Sequence, residues 1–254
     1  MNALSLFSGI GGLDLAAEWA GFKTVAFCER DEFCQKVLRK HWPGVRIFDD
    51  VRTLDTNELP AIDIVFGGYP CQPFSSAGQR KGTEDERHMW PHMLDIVRRK
   101  KPAWVVGENV KGHISLGLDE VLDDMESEGF ETRAFAIPAG AVKAPHSRER
   151  VFVVSYSESN RHREGGEIRD FCKEDGGSGS RLLSEFAFST WWDTEPGICR
   201  VANGIPGRVD RLRSLGNAVV PQQAYPIFAA IAETYNCAFN RDRPPAASVA
   251  LRRR

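Results

Sequence analysis

Over its first 155 positions the chain alternates short apolar runs with stretches whose apolar residues recur every three or four. The runs at residues 4–7, 24–27, 62–66 and 103–107 are bounded by polar or turn-forming residues and predict buried strands. Residues 13–20, 31–41, 90–99 and 118–128 carry helical periodicity; in the second of these Phe33, Val37 and Leu38 fall on one side. Gly129 follows the last at the position where helices often end in a left-handed residue. Residues 133–137 and 151–155 predict two further strands. Strands alternating with helices specify an α/β fold built on a largely parallel sheet.

The pattern breaks after Ser155. Residues 157–190 are polar and rich in Gly, Ser, Arg and Glu, with Gly176-Gly177-Ser178-Gly179-Ser180 at their centre, and read as loop or a small irregular subdomain. Helical patterning returns over 208–234, interrupted by a Gly216-Asn217 turn. Beyond Asn236 the chain contains Pro244-Pro245, ends in three arginines and reads as a mobile tail. The expected organisation is a discontinuous domain of residues 1–156 and 204–236, an insert at 157–203, and a basic tail at 237–254.

Composition narrows the class. A chain of 254 residues, 42% hydrophobic and 27% charged, suits one large soluble domain. No apolar run approaches a membrane span, and no basic segment precedes an apolar one at the N-terminus, so neither membrane insertion nor a signal peptide is expected. The six cysteines, at 28, 34, 71, 172, 199 and 237, form no Cys-x-x-Cys pair, which argues against a zinc site or disulfide framework and for a reducing, cytoplasmic setting. The net charge of −2 hides an asymmetry: residues 128–254 hold 18 Lys/Arg against 15 Asp/Glu, with local clusters at 143–150, 161–163 and 208–213. Such clusters serve either as phosphate contacts or as plain solvated surface.

Candidate chemistry sits where predicted strands end. Pro70-Cys71-Gln72-Pro73 follows the run 62–66, so a thiol lies just past a strand end in a loop shaped by prolines and glycines. Cys71 is then either a nucleophile or a small buried core residue. Phe7-Ser8-Gly9-Ile10-Gly11-Gly12 joins the first strand to the first helix, a turn suited to a nucleotide or adenosyl cofactor. Glu29, about 20 residues further on, is placed to accept from ribose hydroxyls. Asp50 and Val51 could hold an adenine, the carboxylate on its amine and the valine on its ring. For both acids a surface carboxylate is the alternative. Glu108 follows the strand at 103–107 and shares a rim with Cys71 in a parallel sheet, where burial would keep it protonated for donation. Arg148 and Arg150 are two apart on an extended run, so both side chains can face one ligand.

Together these segments resemble the DNA (cytosine-5) methyltransferases of bacterial and bacteriophage type. The order Phe7–Gly12, Pro70–Ser75, Glu108-Asn109-Val110, Arg148-Glu149-Arg150 and Leu215-Gly216-Asn217-Ala218-Val219 carries the resemblance over residues 3–155 and 204–234. It implies a Rossmann-like fold dependent on S-adenosylmethionine, with double-stranded DNA as substrate. Cys71 matches the nucleophile that adds to carbon 6 of a flipped-out cytosine, and Glu108 matches the acid that contacts its ring. Arg148 and Arg150 match arginines at the cytosine carbonyl and adjoining backbone. Phe7, Gly9, Gly11, Glu29, Asp50, Val51, Pro70, Asn217 and Val219 match cofactor-pocket positions. Ser75, Gln79 and Arg80 fall in or beside a loop that closes over DNA. Arg208 and Arg211 fall on a helix that braces the recognition region, or are plain helix-surface arginines.

Two departures stand out. His146 replaces a common glutamine, and the region used for target recognition, 157–203, is short and glycine-rich. The resemblance further implies a monomer acting in restriction-modification, with a cognate restriction endonuclease as candidate partner, or in phage DNA protection. Two alternatives stay open: a transfer-RNA cytosine-5 methyltransferase, and a catalytically silent DNA-binding protein.

Overall fold

The computed structural model of the protein describes residues 1–70, 88–157 and 208–239. Seven strands form one sheet: β1 (Asn2–Leu6), β2 (Lys23–Cys28), β3 (Arg46–Phe48), β4 (Ile64–Gly67), β5 (Trp104–Val110), β6 (Phe130–Pro138) and β7 (Glu149–Ser157). Their order is β3-β2-β1-β4-β5-β7-β6. The first five are parallel, and β7 runs antiparallel between β5 and β6. The chain therefore winds outward from β1 in one direction, then returns to β4 and winds in the other. That reversal opens a crevice at the carboxyl ends of β1 and β4, where such sheets take ligands.

Among the described residues six α-helices flank the sheet: α1 (Gly12–Trp19), α2 (Glu32–His41), α3 (Trp90–Lys100), α4 (Leu118–Ser127), α5 (Arg208–Asn217) and α6 (Pro221–Phe239). The central strands are buried on both faces, and alternate residues join opposite cores. Leu4, Leu6 and Val65 pack with Met93, Ile96 and Val97 of α3 and Val121 and Met125 of α4. Ala3, Ile64 and Phe66 pack with Ala16 and Ala17 of α1 and Phe228 and Ile231 of α6. Helix α6 thus completes the second core although more than sixty residues separate it from β7. Phe228 joins the rings of Phe22 and Phe66 at 5.7 and 5.1 Å, so truncating it would remove two edge-on aromatic contacts at once.

Most expected elements are present with longer ends. The two final strands extend to residues 130–138 and 149–157 because they pair with each other along nine positions. Gly129 is left-handed, as its place after α4 implied. Strand β3 lacks an apolar run long enough to signal it. Helix α6 continues to Phe239, beyond the expected start of the tail, and Pro221 opens it at a position that needs no N–H. The insert from residue 158, the tail from residue 240 and the loop 71–87 lie outside the described residues.

Asp14 on α1 is a buried acid beside the second core. It is fully buried and accepts from Ser5 Oγ at 3.0 Å and Thr24 Oγ1 at 3.1 Å. Burial pushes its pKa up to about 7, further than the two hydroxyls pull it down. In the unfolded chain the proton leaves near pH 4, so the folded state holds more protons between about pH 4 and 7. The stability this adds is complete below that window and lost as pH rises through it. Asp14→Asn is expected to remove this decline, on the order of a few kcal/mol across the window. Urea denaturation of both proteins from pH 4 to 8 measures it; parallel pH profiles would refute the assignment.

Candidate active site

A cavity of about 520 Å³ occupies the crevice at the topological reversal, a size common for small-molecule sites. The turn after β1 forms its floor. Phe7 there adopts a left-handed backbone at φ 52°, uncommon for a bulky residue, and Gly9 follows at φ 55°. Glu29, just past β2, turns into this wall. Its Oε2 accepts from the Gly9 amide and its Oε1 from the Asp31 amide, both at 2.7 Å. Glu29 lines the cavity, and its oxygens keep acceptor capacity beyond these two bonds, as a diol-binding carboxylate requires. Burial raises the Glu29 pKa against these two bonds.

Asp50, Val51 and Pro70 line the cavity too, as do Asn217 and Val219 from the C-terminal segment. Asp50 is less free than the sequence suggested. Arg52 Nε donates to both its oxygens at 2.9 and 3.0 Å, and this bonding lowers its pKa to about 2. Gly11 does not line the cavity. At φ 86° it opens α1, and a Cβ there would lie 2.5 Å from the Trp42 ring. Its absent side chain admits Trp42, so Gly11 shapes the turn from behind.

Beside this cavity β5 presents Glu108 and β7 presents Arg150, both buried and both on its lining. Glu108 Oε1 and Arg150 Nε form an ion pair at 2.6 Å. Burial raises the Glu108 pKa to about 7, outweighing the pull of Arg150 and, more weakly, Arg148. The carboxyl is therefore poised between its two forms near neutral pH, as a proton donor must be. Gly68, just past β4, is the reason it fits: a Cβ there would come within 2.7 Å of Glu108 Oε2. Arg148 is half-buried and points back at the C-terminal segment, donating from Nη2 to the Gly216 carbonyl. Arg148 and Arg150 were expected to be able to face one ligand; here Arg150 pairs with Glu108 while Arg148 turns to Gly216 and acts on Glu108 only through its charge. His146 is exposed, and its Nδ1 accepts from the Arg148 amide at 3.4 Å.

Cys71 and the loop residues Ser75, Gln79 and Arg80 lie outside the described residues, but the chain entering that loop is firmly held. Asn109 Nδ2 donates to the Tyr69 carbonyl at 3.0 Å. The Tyr69 hydroxyl meets His113 Nε2 at 2.8 Å, and its ring packs on Trp90 at 5.0 Å. Trp90 in turn donates to Asp124 at 2.7 Å. None of these partners was legible in advance, since the tyrosine and histidine are 44 residues apart and no spacing rule joins them. The cysteines that are described, Cys28 and Cys34, also line the cavity. Burial pushes their pKa values up to about 12 and about 11, so neither supplies a thiolate. Arg211 lies exposed on α5, which also begins with Arg208.

The sheet order, the glycine turn and the acid-lined crevice define a Rossmann-like methyltransferase fold. The C-5 cytosine-specific DNA methylase family matches residues 1–184, and the chain belongs to that family. It is 32% identical over 164 residues to the Type II methyltransferase M2.BsuMI of Bacillus subtilis, covering 61% of this chain and 42% of that one. It is 34% identical over 168 residues to the orphan methyltransferase M.Rho11sI of Bacillus phage rho11s, covering 62% and 33%. Among solved structures it resembles a prophage-encoded E. coli protein assigned as a DNA modification methyltransferase, with TM-score 0.54, 25% identity, and coverage of 63% and 48%. The match thus spans less than half the length of each of these relatives.

Proposed function

We propose that the protein is an S-adenosylmethionine-dependent DNA (cytosine-5) methyltransferase acting on a cytosine flipped out of duplex DNA. The observation that carries this reading is the Glu108–Arg150 pair on the wall of the cofactor-sized cavity, which Pro70, the residue before Cys71, also lines. The apolar faces of Phe7, Val51 and Val219 with the carboxylates of Glu29 and Asp50 suit an adenine ring, ribose hydroxyls and a positive charge. Bound there, S-adenosylmethionine supplies an electrophilic methyl group.

Cytosine carbon 5 is a weak nucleophile. The Cys71 thiolate adds to carbon 6, while Glu108 holds or donates a proton at ring nitrogen 3, and carbon 5 gains the electron density to take the methyl. A base, such as water, then removes the carbon 5 proton, the carbon–sulfur bond breaks, and Cys71 leaves as thiolate. Arg150 fixes the Glu108 carboxyl, and Arg148 contacts the cytosine carbonyl or adjoining backbone. Ser75, Gln79, Arg80, Arg208 and Arg211 contact DNA, and residues 157–203 read the target. The names of the relatives support a role in restriction-modification or phage DNA protection; that the chain acts as a monomer, with a cognate endonuclease as candidate partner, belongs to the proposal alone.

Incubation with radiolabelled cofactor and either duplex DNA or transfer RNA tests this. Label in DNA is expected; label only in RNA would replace the substrate, and label in neither would sink the enzyme reading.

A further inference from the structure

Arg148 is held from two sides by the C-terminal segment. Its guanidinium donates to the Gly216 carbonyl at the end of α5. Its own carbonyl accepts from Gln223 Nε2, in the first turn of α6, at 3.0 Å. The same Gln223 nitrogen donates to the Ile137 carbonyl at 2.7 Å, near the end of β6. One side-chain amide therefore bridges the outgoing end of β6 and the residue just before β7. Gln223 is fully buried, and its Oε1 has no hydrogen-bond partner among the described residues. Two carbonyls within bonding distance can be served only by the NH₂ end, so the orientation is fixed by chemistry.

A buried glutamine with an idle oxygen is an expensive way to fill space, because methionine or leucine would fill it without a stranded acceptor. What the glutamine supplies is a pair of donors at the point where the chain delivers Arg148 and, two residues on, Arg150. We infer that Gln223 is a positioning residue: it sets the backbone that aims Arg148, and through β7 Arg150, at the reacting base. The inference rests on the function proposed above. It also gives the C-terminal helices a part in the chemistry beyond completing the core.

The test is Gln223→Met in the full chain, which keeps length and apolar bulk and removes both donors. Steady-state methylation is measured on unmethylated plasmid DNA with labelled cofactor. The expected result is a fall in kcat of about tenfold, KM for the cofactor within about twofold, and a thermal midpoint close to wild type. In an Arg148→Ala background the same substitution should cost clearly less in kcat than it does in the wild type, since only its effect through Arg150 is left. Wild-type kcat in Gln223→Met, or a loss that adds in full to that of Arg148→Ala, would overturn the inference while leaving the methyltransferase reading intact. Absence of methylation by the wild-type protein would instead remove that reading, and this inference with it.

Discussion

Cys71→Ser is expected to abolish methyl transfer, by on the order of 10³-fold or more, while duplex DNA binding persists. The substitution changes one atom, so the loop it sits on loses little. A serine hydroxyl, however, is almost wholly protonated at neutral pH and adds poorly to an unsaturated ring. Filter-binding and methylation assays on the same preparations separate the two effects. Normal methylation by the variant would exclude Cys71 as nucleophile. A second readout follows from the same chemistry: DNA whose target cytosine carries fluorine at carbon 5 should trap wild-type protein covalently, because no proton can leave that carbon. The variant should not be trapped.

Glu108→Gln is expected to lower kcat by about 10² to 10⁴-fold. The amide keeps the shape of the carboxyl but cannot deliver a proton, and it leaves the buried Arg150 guanidinium without its counter-charge. The pH dependence carries the sign. On the proposed mechanism protonated Glu108 is the active form, and burial raises its pKa to about 7, so the wild-type rate should lose a factor on its alkaline side as the proton leaves. The profile belongs to the site as a whole, since on this reading the Cys71 thiolate is the attacking form and its ionisation shapes the same curve. In Glu108→Gln the residual rate should rise with pH as the thiol ionises and show no fall attributable to residue 108. An unchanged alkaline limb would assign it to another group. Stability should report the loss too, because Arg150 is then buried unpaired; a lower thermal midpoint is the expected accompaniment.

Much of the site was legible because the chemistry sits at strand ends. A glycine turn after β1, an acid after β2 and an acid in β5 all reach one rim once the strands are parallel, and alternation of strand and helix announces that arrangement. Glu29 and Val51 reach the cavity for this reason, whereas Asn217 and Val219 reach it from the C-terminal helical segment. Gly11 was placed in that pocket by its motif and instead backs it, because its vacancy admits Trp42 from α2, a contact no local pattern encodes. Asp50 was read as a free acceptor, and only the fold-back of Arg52 reveals that its oxygens are engaged.

By itself, then, the sequence determined the α/β class, the strand-end positions of the reactive groups and the family, since these follow from periodicity and local motif. The tertiary structure decided what those groups are. Burial of Glu108 against Arg150 gives its carboxyl a pKa near neutrality, and only packing sets how much water is excluded. The anchoring of Tyr69 by Asn109 and His113, and of Arg148 by Gln223 and Gly216, joins residues 40 to 75 positions apart. Contacts at such separations exist only after the chain has folded, because nothing in local propensity distinguishes the partner that will be met from the many that will not.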